Sequence, residues 1–160
     1  MSIDYVCDLA TDASVAEIAS RVRDLIGGTI EAEEDQTTVV TGAVAANIRA
    51  ITDSRTREWS IEDWGIDPRI EISFTLNRAA SESESLAGRR DFTIASVKLG
   101  EELNVDVLLT FETERAIMRR QNGALTLYDW WPDWTDPDVI ATLPPGYTII
   151  SDGKEQKPDS

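Results

Sequence analysis

Residues 115–128 read RAIMRRQNGALTLY, and this stretch decides the fold. Asn122-Gly123 sits between two strand-like runs, and both residues tolerate the positive φ that a type I′ turn requires, so the pair specifies a two-residue β-hairpin. With these two as the turn, Met118 falls opposite Leu127 and Arg119 opposite Thr126. Apolar meets apolar and polar meets polar, which makes the register self-consistent. Upstream, Val105, Val107, Leu109 and Phe111 alternate with polar positions apart from Leu108, a further strand of the same meander. Downstream follow Trp130-Trp131-Pro132-Asp133-Trp134, Asp136-Pro137-Asp138, Leu143-Pro144-Pro145-Gly146 and a short apolar run at 147–150.

Toward the N-terminus, Asp91–Leu103 predicts a helix with Phe92, Ala95, Leu99 and Leu103 inward, weakened by Gly100. Residues 79–88, AASESESLAG, are small, acidic and of low complexity, and read as a mobile loop. Ile70, Ile72, Phe74 and Leu76 alternate with Glu71, Ser73, Thr75 and Asn77, a strand with one face on a core and one in water. No element is assigned between 51 and 69. Residues 43–50 fit strand or helix, because their small side chains declare no period, whereas Thr37–Thr41 is β-branched enough to be a strand. Glu31, Glu33, Glu34 and Asp35 form an acidic turn before it.

Ser14 and Glu17 fit an S-x-x-E capping box ahead of a helix whose Val15, Ile18, Ala19, Val22, Leu25 and Ile26 share one face. Arg21, Arg23 and Asp24 fall on the other face, and Gly27-Gly28 stops the helix. Residues 2–9 read as an opening strand that buries Cys7 as a small hydrophobe. The order of elements predicts an α+β fold, an antiparallel β-sheet with two main helices packed on one face. Residues 1–150 are expected to form a single domain and residues 151–160 a disordered tail.

Thirty Asp+Glu against fifteen Lys+Arg give 160 residues a net charge of −15. Phosphate backbones and anionic membranes both recruit cations, so neither nucleic acid nor a membrane surface is an expected partner. Histidine is absent, which removes Ser-His-Asp and Cys-His nucleophiles and His-ligated metals. Cys7 is the lone cysteine, too few for an internal disulfide or a thiolate cluster. No calcium-loop spacing, Gly-rich phosphate loop or Ser/Lys dyad is present, so no metal site, cofactor or catalytic residue is expected. The acids at 31–35 and Asp133, Asp136 and Asp138 read as solvated surface. The N-terminus has neither the basic nor the apolar region of a signal peptide, and the expected location is cytoplasmic.

Tryptophan carries the functional signal. Five are present in two groups, Trp59 with Trp64 and Trp130 with Trp131 and Trp134, each interleaved with acids. Three indoles around one proline cannot all enter a small core, and exposed tryptophan is the side chain most enriched at interface hot spots. Acid-flanked indoles suit a cationic partner, through ion pairing and cation–π contact. The candidate partner-binding residues are Glu58, Trp59, Glu62, Asp63, Trp64, Asp129, Trp130, Trp131, Asp133 and Trp134.

The segment NVDVLLTFETERAIMRRQNGALTLYDWWP from Asn104, with LPPGY at 143–147, resembles the C-terminal half of the Sit-type immunity proteins. Arg120, Gly123, Leu125, Leu127, Trp130 or Trp131, Leu143-Pro144 and Tyr147 carry the likeness, and the opening MSIDYVCDL fits as well. Residues 30–90 do not contribute to it, and the second tryptophan and an insertion before Pro68 depart from the pattern. The resemblance implies a non-enzymatic cytoplasmic antitoxin that binds and blocks a cognate toxin domain. The acidic surface makes a basic toxin domain the expected partner, blocked by occlusion of its active site or by locking of its fold. The other reading of the residues is a small-ligand-binding α+β domain with a tryptophan-lined pocket.

Overall fold

The hairpin forms with the expected register. Asn122 and Gly123 take φ of 52° and 82°, and β7 (Arg115–Gln121) and β8 (Ala124–Tyr128) pair Met118 with Leu127 and Arg119 with Thr126. In the computed structural model, which describes residues 3–151, this hairpin is one part of a nine-stranded sheet. The expected tail lies outside the described residues from 152 onward.

The remaining strands are β1 (Asp4–Leu9), β2 (Thr29–Ala32), β3 (Thr37–Val40), β4 (Val44–Ala50), β5 (Ile70–Leu76), β6 (Val107–Phe111) and β9 (Thr148–Ile150). Their order across the sheet is β2-β3-β4-β5-β1-β6-β7-β8-β9. All neighbours are antiparallel except β8 and β9, which run parallel. The first strand of the chain thus occupies the centre of the sheet, with β5 on one side and β6 on the other.

Period-two alternation sends Cys7, Leu9, Ile72, Phe74 and Leu109 to one face, where they form the main core. Two helices cover that face. α1 (Val15–Ile26) buries Ile18, Ala19 and Val22, and α3 (Glu82–Leu103) buries Phe92, Val97 and Leu99. Complete burial pushes the Cys7 thiol up to about 12, so it stays a protonated hydrophobe.

α3 begins nine residues before Asp91, so the mobile loop expected at 79–88 is instead largely the first turns of a helix. Ser81 Oγ accepts from the Glu84 amide at 3.2 Å and Glu84 Oε1 accepts from the Ser81 amide at 3.1 Å. This is a reciprocal capping box, and Glu82 and Glu84 also face the positive end of the helix dipole. The serine and glutamate that read as low complexity are therefore a helix start. At α1 only the serine half is made: Ser14 Oγ accepts from the Glu17 amide, while the Glu17 carboxylate turns to Arg21 at 3.5 Å.

A further helix, α2 (Ser54–Trp64), packs on the opposite face. Trp64 and Ile66 join Leu108, Ala116 and Tyr128 in a second, smaller core there. Helix α2 has no sequence signature of burial, since Trp64 is its one buried residue. A cap and a clamp place it instead. Asp53 accepts from the Arg55 amide and the Thr56 hydroxyl, and Arg57 binds Asp67 bidentately at 2.8 and 2.9 Å. Gly65 closes the helix at φ 70°, and its carbonyl accepts from Gln121 Nε2.

Candidate functional site

Helix α2 lies over the middle of the second face of the sheet. There a cross-strand row runs Arg49 (β4), Glu71 (β5), Asp8 (β1), Leu108 (β6) and Arg119 (β7). Thr56, Trp59, Ser60 and Asp63 follow the i, i+3, i+4, i+7 spacing of one helix face, and that face looks down on the row. Between helix and sheet is a recess of about 310 Å³, lined by these four residues with Asp8, Trp64, Glu71, Leu108, Thr110 and Thr113.

The recess is lined by three acids, Asp8, Asp63 and Glu71. Glu71 accepts a 2.9 Å ion pair from Arg49 on the sheet side. Asp8 has no such partner among the described residues, and its Oδ1 has no exposed surface and no hydrogen bond. Burial, and secondly the facing Glu71 carboxylate, push the Asp8 carboxyl up to about 7. Ser60 Oγ is also buried without a partner. Trp59 forms the outer wall and is 61% exposed, with the Arg55 guanidinium 6.0 Å from its ring.

The ten candidate residues separate into three situations. Trp59, Asp63 and Trp64 line the recess, Trp64 as its buried floor, and Glu58 and Glu62 stand exposed on the outer side of α2. Asp129 is exposed beside β9, where its amide donates to the Ile150 carbonyl. Trp130 is half-buried against both cores, with its indole donating to the Ala116 carbonyl and the Arg115 guanidinium 4.1 Å from its ring.

Trp131, Asp133 and Trp134 are buried, and each has an internal hydrogen-bond partner. The Trp131 indole donates to Thr93 Oγ1 and the Trp134 indole to the Ile117 carbonyl. Asp133 was expected at a solvated surface but pairs with Arg89 at 2.9 Å inside the fold, with Thr93 donating to it as well. Trp131 and Trp134, three residues apart across the 3₁₀ turn at Pro132–Thr135, both enter the main core, and Trp130 packs against it half-buried. The sequence reading did not single out Asp8, Ser60 or Glu71. Asp8 and Glu71 are ordinary polar positions of alternating strands, and their meeting depends on the β1–β5 register.

A second, smaller cavity of about 200 Å³ gathers Arg120, Gly123, Leu125, Pro144 and Tyr147, the residues that carry the family likeness. The Arg120 guanidinium donates to the Val105 carbonyl at 2.7 Å and to Asn104 Oδ1 at 3.0 Å, fastening the end of α3. That arrangement is a structural tie between the hairpin and a helix.

Fold and site together define an acidic α+β domain with one face sealed by helices and the other bearing an indole-walled, carboxylate-lined recess. The chain belongs to the SitI3-like family, whose sequence model matches residues 3–138. That match takes in the 30–90 segment that the motif likeness did not reach, and ends before Leu143-Pro144 and Tyr147. No curated protein and no solved structure matches the chain. Among the described residues no helix is long and apolar enough to cross a membrane.

Proposed function

We propose that the protein is an immunity-type inhibitor that binds a basic toxin domain through its α2 face and blocks that domain's active site. The observation that carries this reading is Trp59, a large indole left 61% exposed among Glu58, Glu62 and Asp63 at the rim of an acidic recess. Membership of the SitI3-like family supports it. An exposed aromatic anchor inside a ring of like charge suits a cationic partner, because the charges steer encounter while the indole supplies buried area. The interface is narrower than the ten candidates. Glu58, Trp59, Glu62 and Asp63 form it, with Asp129 and Trp130 as its candidate extension, while Trp64, Trp131, Asp133 and Trp134 hold the fold.

Co-expression with the C-terminal toxin domain encoded by the adjacent gene tests this. Host survival and a co-purifying complex are expected. Trp59→Ala should lower affinity by about 2 kcal/mol or more with an unchanged melting temperature. Trp64→Ala should cost about 3–5 kcal/mol of stability. Continued toxicity beside well-folded protein, with no complex formed, would count against the pairing.

The small-ligand reading keeps one supporting observation, two of the five tryptophans at a single recess. It predicts saturable quenching of Trp59 fluorescence by a small molecule and no protein partner. The recess volume of about 310 Å³ lies at the floor of the roughly 300–1,000 Å³ typical of small-molecule pockets.

A further inference from the structure

We propose that the recess between α2 and the sheet is a receptor for a single cationic side chain of the partner, an arginine or a lysine. In it Asp8 and Glu71 are the counter-charges, Ser60 is a neutral hydrogen-bond acceptor and the Trp59 indole is the wall. The proposal rests on the inhibitor reading above and adds to it the chemistry of the group that the partner inserts.

The first ground is the pair of buried polar atoms without partners. Asp8 and Ser60 both line this one recess, from the strand and from the helix, and in each one side-chain oxygen is buried without a hydrogen-bond partner. Buried polar atoms in folded proteins nearly always find partners, and two orphans at one cavity mark a place where a donor is missing. Both atoms can accept, so one donating group can satisfy the two together.

The second ground is charge. Asp8 is faced by Glu71 from β5, and Asp63 of α2 lines the same recess, while β6 presents Leu108 and the neutral Thr110. Arg49 is engaged on the far side of Glu71, and Arg119 is separated from Asp8 by Leu108 in the cross-strand row. Nothing in the recess itself is positive. Among the described residues no group of three or more His, Cys, Asp or Glu is placed to hold a metal ion. An ammonium or guanidinium would satisfy the carboxylates and lie against the Trp59 indole, and the exposed position of that indole leaves the mouth accessible.

The raised Asp8 carboxyl adds a signature. Near pH 7 it is partly protonated in the unbound protein, and an arriving cation favours the ionised form. Binding there should release a proton, and affinity should rise with pH between about 6 and 8.

The test uses the full chain with ethylguanidinium and butylammonium, the head groups of arginine and lysine, followed by the toxin domain. Titration is read at the Asp8 carboxyl carbon and the Trp59 indole N–H by NMR, and proton release by calorimetry in two buffers of different ionisation enthalpy. One or both cations should shift the two resonances, and the one that binds tighter identifies the inserted residue. Asp8→Asn should abolish proton release and weaken the toxin complex at least tenfold at pH 8, mainly through faster dissociation, with a smaller effect at pH 6. Equal binding of wild type and Asp8→Asn to the toxin domain would overturn the proposal and leave the inhibitor reading standing. Cation shifts lost in Asp8→Asn, with no toxin complex at all, would uphold the cation site and overturn the inhibitor reading. Unmoved Asp8 and Trp59 resonances with both cations would overturn the site itself.

Discussion

Asp8 is the residue at which stability and function pull apart. Its carboxyl ionises at about 7 in the folded protein, against an ordinary value of 3.8. Between those values the unfolded chain has lost its proton while the folded chain keeps it. Stability attributable to Asp8 therefore falls as pH rises through this window, and levels off above it. At about 1.4 kcal/mol per pH unit the full penalty is up to about 4 kcal/mol. The opposite sign holds for Asp67, whose carboxyl Arg57 keeps below the usual range, so its contribution is lost only as the solution becomes more acidic than that range. Asp8→Asn should abolish the Asp8 part of the slope, making the variant more stable than wild type at pH 8 and little different at pH 4. Urea unfolding of both proteins across that range measures it, and parallel curves would mean that Asp8 is solvated. A buried carboxylate that costs the fold stability fits a binding role.

At the scale of elements, α3 sits on the sheet by virtue of what it lacks. At Gly88 an added Cβ would lie 2.8 Å from Val44 Cγ2 and 3.0 Å from Ala43 Cβ. Alanine is ordinarily worth about 1 kcal/mol more than glycine within a helix. Here the Ala43 Cβ is fixed to the backbone and cannot turn aside, so the helix must lift. Gly88→Ala should therefore destabilise by about 1–3 kcal/mol net, read as a lower urea midpoint at unchanged slope. Gly42→Ala is the control, since a Cβ there meets nothing within 4 Å. The same contact explains why 79–88 reads as a loop in sequence. The Ser81–Glu84 box is visible in the sequence, but ordering of the first turns also needs the sheet surface beneath Gly88. α2 was legible in neither way, because one buried tryptophan declares no period and its anchors, Asp67 and Gln121, lie outside it.

Over the whole molecule, a net charge of −15 sets the kinetics of any encounter. Its field reaches about 30 Å at 0.01 M salt and about 3 Å at 1 M. Association with a basic toxin domain should slow by one to two orders of magnitude between low and high salt, while dissociation changes far less. Stopped-flow tryptophan fluorescence separates the two rates, and a salt-independent association rate would exclude electrostatic steering. Much of the architecture was legible in local sequence. Asn122-Gly123 fixed a hairpin register, Ser14 and Gly27 bounded a helix, and the alternation at 70–77 marked a strand, because turn chemistry and side-chain periodicity act between near neighbours. The acid-flanked indoles at 58–64 and 129–134 were visible in the same way. Which of them face outward was not, since Trp59 is exposed and Trp131 and Trp134 are buried by contacts with residues far along the chain. The recess is a wholly tertiary product. Asp8 and Glu71 lie 63 positions apart and meet only through the pairing of β1 with β5, under a helix that the sequence left unannounced. Local chemistry chose the elements, and the long-range strand order decided which charges would be buried together.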